Sequence, residues 1–110
     1  VFVDNIYDDT IGSFDIYGNH FVCVHGDMDN DLKVSAQRIE RLTSKKIDYL
    51  LAGHMHVAEM YIGNIGYIRN GSVCGSGDEY TVKKRLFGYP TQVCFTVTDK
   101  GVEAIYPVRL

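Results

Sequence analysis

Phe21-Val22-Cys23-Val24-His25-Gly26-Asp27 and, downstream, Tyr49-Leu50-Leu51-Ala52-Gly53-His54-Met55-His56 decide how this chain is read. Each begins as a continuous apolar run of the kind found in a strand buried on both faces. Each then passes directly into a loop carrying glycine and histidine. Between them lies a different pattern. Asp29, Asn30 and Asp31 offer an N-cap. From 32 to 42, Leu32, Ala36, Ile39 and Leu42 recur at helical spacing, with Lys33, Gln37, Arg38, Glu40 and Arg41 outside the stripe. Residues 43–48 form a polar link. Strand, helix, strand at this spacing predicts a βαβ unit with parallel strands and a right-handed crossover.

Upstream, residues 4–13 are polar and Asp-rich and read as a loop. The alternating run 14–17 and the run opening at His20 read as a hairpin about a Gly18-Asn19 link. Val1-Phe2-Val3 looks like a strand already under way, so a piece of a longer chain is expected. Downstream, 58–62 and 67–70 read as short strands, with Gly66 breaking the second run early. Residues 71–79 read as a Gly/Ser-rich loop, and 80–90 carry no clear pattern. Residues 92–98 and 102–108 read as strands joined at Asp99-Lys100-Gly101. The second half is therefore expected to be antiparallel.

The chain has 110 residues, 45% of them hydrophobic and 23% charged, which suits one domain with an ordinary core. Its net charge of -3 does not favour a nucleic-acid partner. No apolar stretch is long enough to span a bilayer. Three cysteines without C-x-x-C spacing point to free thiols rather than a disulfide framework. Cys23 and Cys94 lie in apolar strand-like runs and are expected to be buried, and the expected compartment is the reducing cytoplasm.

His25, His54 and His56 follow the ends of predicted parallel strands, where open α/β sheets place their ligands. In an extended segment residues two apart share a face, which lets His54 and His56 approach one centre. His25, on the neighbouring strand about 4.8 Å away, can reach it too. Neutral imidazoles suit Zn, Fe, Ni or Mn at about 2.0–2.2 Å. Any one of these histidines alone reads best as an ordinary loop residue. The set of three favours a metal centre. Asp27 could accept a hydrogen bond from a ligating imidazole, or simply cap its loop. Asp29 and Asp31 fit helix capping, and Asp78-Glu79 and Lys83-Lys84-Arg85 fit solvated surface.

Val24-His25-Gly26 followed by Leu51-Ala52-Gly53-His54-Met55-His56 resembles the last two motifs of the calcineurin-like metallophosphoesterases. Asn70-Gly71-Ser72-Val73 resembles the segment that follows G-H-x-H in that family. The tail, with Pro90, Gln92 and Ile105-Tyr106-Pro107-Val108, resembles the small bacterial and phage members. The resemblance covers the whole chain but only the C-terminal half of the family's domain. It implies an α/β fold: half of a four-layer α/β/β/α sandwich, a short parallel βαβ unit followed by antiparallel strands. Residues 1–110 would form a single partial domain. The resemblance also implies a divalent transition metal, two ions in the complete domain, with His25 and His54 on one and His56 on the other. The implied chemistry is attack of metal-activated hydroxide on a phosphate ester.

Two family motifs, D-x-H and G-D-x-x-D, are missing. Gly18-Asn19-His20 spells the family's G-N-H, but Phe21 and a strand follow at once where the family opens a helix. Asn19 is therefore read as a hairpin-turn residue. Without carboxylates, three imidazoles cannot hold two dications, and the segment alone is expected to be inactive. The expected partners are a phosphate-ester substrate and either the missing N-terminal half or a second copy. The competing reading is a non-catalytic metal-binding or interaction module. A structural fragment left by proteolysis is a third.

Overall fold

The computed structural model describes residues 4–5, 10–27, 31–55, 58–71 and 90–110. His56, Cys74, Asp29 and Asn30, the loop 72–79 and the basic run at 83–85 lie outside the described residues. The described elements are β1 (Asp4–Asn5), β2 (Gly12–Ile16), β3 (Asn19–Cys23), α1 (Leu32–Thr43), β4 (Tyr49–Ala52), β5 (Glu59–Tyr61), β6 (Gly66–Arg69), β7 (Thr91–Thr98) and β8 (Gly101–Arg109). The first six strands form one sheet in the order β1-β2-β3-β4-β6-β5, and β7-β8 form a second.

β3 and β4 are parallel, with Val22 opposite Leu50, and α1 connects them as the βαβ pattern requires. The residues of β3 alternate between two faces. Val22 points towards α1 and joins Ile11, Leu32, Ala36, Ile39, Ile47, Leu50 and Ala52 in the buried core. Phe21 points the other way. It is fully buried and stacks on Phe14, Tyr49 and Phe95. Phe95 belongs to β7, so this aromatic column glues the second sheet to the first. Polar stitches reinforce the join. Val102 N–H donates to the Tyr49 hydroxyl at 2.8 Å, and the Asn70 amide exchanges bonds with Val93 and Gln92. The result is helix, mixed sheet and antiparallel hairpin stacked in that order.

Several local expectations need correction. The β2–β3 turn is Tyr17-Gly18, with φ of 49° and 79°, the double positive-φ signature of a two-residue hairpin loop. Asn19 is already the first residue of β3. Its amide donates to Ile16 O, Tyr17 O and Thr98 O, so it ties off the turn and fastens it to β7. The second half is not wholly antiparallel, because β6 runs parallel to β4. Gly66 does not break β6 but opens it. A Cβ there would come within 2.7 Å of the Tyr49 ring, so the glycine is what lets β6 pair beside that aromatic. Asp31 is the helix N-cap, accepting from Lys33 and Val34 N–H. Leu42 leaves the buried stripe and is 53% exposed, while Ser35 is buried in its place. Cys94 is exposed on the outer face of β7, and Cys23 is half-buried.

Candidate metal centre

The carboxyl ends of β3, β4 and β6 lie side by side, and backbone bonds lace them together past the last paired residues. Val24 N–H donates to Leu51 O (2.9 Å), Gly53 N–H to His25 O (3.0 Å) and Asn70 N–H to Ala52 O (2.8 Å). His25 and His54 therefore emerge from adjacent, mutually fixed segments. His25 is exposed and His54 half-buried. Their rings meet edge to face, with centroids 4.9 Å apart, and His25 Nε2 lies 3.0 Å from His54 Nδ1. At 3.0 Å one neutral imidazole donates to the other, so the pair is compact before any ion arrives. Two nitrogens bound tetrahedrally to one zinc at about 2.0–2.1 Å stand roughly 3.3–3.4 Å apart, a few tenths of an ångström wider.

His54 occupies an uncommon backbone state, with φ of 71°. Met55 N–H donates back to Gly53 O at 2.9 Å, closing a three-residue turn with His54 at its centre. This is the positive-φ form of the γ-turn, which is rare and strained. Strain of this kind costs on the order of 1–3 kcal/mol and persists only where the surroundings over-determine it. Gly26 is one such surrounding. With φ of 108°, it adopts a conformation open essentially to glycine alone. A Cβ at Gly26 would meet Gly53 O at 2.9 Å, Arg69 Nη1 at 3.0 Å and His54 Cβ at 3.3 Å. The loop after β3 can thus press directly on the turn that carries His54.

Arg69, at the end of β6 and in register with Ala52, is the residue that sequence reasoning passed over. It is 2% exposed, and its Nη1 donates to Gly53 O at 2.7 Å. Glu59 Oε2 lies 3.6 Å from its Nε. The Glu59 carboxylate also bears on the Tyr67 hydroxyl. Burial, and then the Glu59 carboxylate, push that hydroxyl's pKa up and keep it protonated. An arginine inside an otherwise apolar strand, next to a G-H-x-H loop in the sheet, was the signal available beforehand.

The other candidates fall elsewhere. Asp27 is exposed in the turn after Gly26 and makes no hydrogen bond or ion pair among the described residues. Asn19 and His20 sit at the opposite end of β3, roughly 16–20 Å from His25 at strand rise. They play no part in the pair, as their strand context implied. Among the described residues no third His, Cys, Asp or Glu joins His25 and His54 to make a larger metal-holding group. The two imidazoles can serve one ion as neutral donors once their nitrogens part by a few tenths of an ångström. They are too few to saturate it. No helix of the described residues is long and apolar enough to cross a membrane.

Neither a protein-family model nor a curated protein sequence matches the chain. Solved structures do. Wild-type Vps29 from Entamoeba histolytica, in a complex with zinc, matches with a TM-score of 0.62 at 15% identity, over 91% of this chain and 59% of that one. A single-mutant form gives 0.63 at 17% identity, over 92% and 61% of the two chains. A double-mutant form gives 0.55 at 16%, over 96% and 66%. The chain thus spans under two thirds of the length of the structures it matches. Identity at this level establishes fold, and these neighbours lend nothing to a bacterial or phage type. The mixed sheet, with its helix on one face and its antiparallel hairpin on the other, shares its fold with Vps29.

Proposed function

We propose that this chain carries the histidine-bearing part of a metal-dependent phosphoesterase, with His25, His54 and His56 as ligands of a divalent transition metal. The supporting observation is the 3.0 Å approach of His25 Nε2 to His54 Nδ1 at the carboxyl ends of parallel strands, in a fold shared with a zinc-complexed protein. When bound, the ion supplies a water acidified towards neutral pH and positive charge for the phosphoryl oxygens. The chain's own residues hold and orient. The strand-end hydrogen bonds fix the distance between the two imidazole-bearing loops. The strained turn aims His54, and Gly26 keeps the approach clear. Carboxylates, needed to balance two dications, would come from a further segment of the protein or from another chain. The substrate class is a phosphate mono- or diester.

The second reading, a non-catalytic metal-binding module, draws on the same pair and on the lack of a carboxylate beside it among the described residues. One experiment separates the two. Zinc and manganese binding is measured by calorimetry, alongside hydrolysis of a nitrophenyl phosphate ester, for the 110-residue chain and for the chain supplemented with the complementary segment. The expected outcome is binding without turnover for the chain alone, and turnover after supplementation that is lost in His54→Ala. Binding with no turnover in either sample supports the module. Absence of any binding refutes the metal centre itself.

A further inference from the structure

Arg69 is the largest fully buried side chain among the described residues, and nothing in the proposed chemistry uses it directly. Arginine is almost never fully buried unless it is paired, and Tyr67 and Ile68 show that this strand is otherwise built from apolar contacts. The guanidinium makes a short hydrogen bond through Nη1 and a longer ion-pair contact through Nε. Nε faces Glu59 at 3.6 Å and Nη1 donates to Gly53 O at 2.7 Å. Gly53 O is the same oxygen that accepts from Met55 N–H to close the turn around His54. A carbonyl has two lone pairs and can serve both donors. The bond from a cationic donor is the stronger of the two and fixes the plane of the Gly53 peptide. Nη1 also borders the space above Gly26, in the loop that leads out of His25. Loops after β3 and β4 and the end of β6 therefore meet at one oxygen.

We propose that Arg69 is the positioning residue of the histidine pair. Its guanidinium anchors the acceptor of the strained turn and so holds His54 at positive φ, with Nδ1 towards His25 Nε2. This rests on the metal-centre reading above for its consequence, but not for its geometry. Two physical effects of removing Arg69 have opposite signs. Loss of a buried cation near a cation site raises metal affinity. Loss of the anchor lets His54 relax out of the turn and lowers it. The Glu59 carboxylate already offsets much of the arginine charge, so the positional effect dominates.

The test uses Arg69→Met and Arg69→Lys in the full-length protein, with folding monitored by far-UV circular dichroism. Zinc affinity is read by chelator competition, the ligand field by the visible spectrum of the cobalt(II) form, and the turn by amide exchange at Met55 without metal. Arg69→Met is expected to lower zinc affinity by about 10–100-fold, the usual size for a residue that orients a ligand. It should also weaken the cobalt bands and speed Met55 exchange. Arg69→Lys, with its charge and one donor retained, is expected to recover part of each. Unchanged or increased affinity in Arg69→Met, with wild-type Met55 exchange, overturns the inference. If Arg69→Met does not fold, Arg69→Lys decides: an altered spectrum and faster Met55 exchange support the anchor, and wild-type values in both refute it. A wild-type protein that binds no metal removes the metal reading alone, because Met55 exchange still reports whether Arg69 holds the turn.

Discussion

The two ends of β3 each carry a histidine, and the two have opposite fates. At the amino end, His20 is 5% exposed. Its Nδ1 pairs with Asp15 Oδ1 at 2.8 Å, and its backbone is clamped to Asp48, which accepts from His20 N–H and donates to His20 O. At the carboxyl end, His25 is exposed, borders a positive-φ glycine and faces a second histidine. The difference is where the backbone is satisfied. A hairpin turn and a following strand close the first end, and its histidine becomes packing. The second end opens into loops braced by their own backbone bonds and by the Arg69 side chain, and its histidine is left facing outward. The same residue type is structural or ligand-presenting according to which edge of the sheet it reaches.

The largest effect should come from the open end. His25→Ala or His54→Ala in the full-length protein is expected to lower zinc affinity more than about 100-fold, and at His25 stability should shift little, since exposed sites usually change it by within about 0.5 kcal/mol. His20→Ala should do the reverse. We expect a loss of about 1–3 kcal/mol in denaturant unfolding from removal of the buried imidazole and its bond to Asp15, with zinc affinity unchanged within roughly twofold. Metal binding that tracks His20 and ignores His25 would erase the distinction between the ends.

Gly26→Ala sharpens it. The added methyl meets Gly53 O and Arg69 Nη1 at a backbone angle closed to alanine. It should cost about 1–3 kcal/mol of stability and weaken zinc binding as well, coupling two quantities that the histidine variants separate. A smaller effect with the opposite sign is expected for His54→Gly. Relief of the positive φ should raise stability by about 1 kcal/mol in urea titration while metal binding is lost. A destabilised His54→Gly would show that the turn is not strained.

The smallest effect concerns Cys23, between the two ends. Burial raises its thiol pKa, only partly countered by a backbone bond involving Gly12. Less thiolate is therefore present at any given pH, and Cys94, exposed on β7, should be alkylated before Cys23 at mildly alkaline pH in a peptide-resolved mass measurement. Because the folded-state pKa of Cys23 is the higher one, the stability it contributes is present below the ordinary thiol range. That contribution falls away as pH rises through the shifted value.

The βαβ unit was legible in the sequence because its signals are local. Four-residue apolar runs, an Asp cap and a helical stripe report on their own neighbours, and β4 and α1 lie where those patterns put them. The failures have a common cause. Leu42 has helical spacing, yet only the contacts made in the fold leave it exposed to solvent. The parallel pairing of β6 depends on β4, a partner distant in sequence. Gly18-Asn19 had the composition of a turn, yet the register placed Tyr17-Gly18 in it, since Asn19 does more work bonding three carbonyls from the start of β3.

The histidines themselves, their order and their place after buried runs were properties of the sequence alone, because alternation and periodicity dictate which strands are buried and where they stop. That His25 and His54 touch, that His54 sits in a strained turn, and that Arg69 holds the oxygen at its base were decided only by the fold. Those facts depend on side chains and carbonyls from three separate strands meeting at one edge, and no local pattern encodes a meeting of that kind.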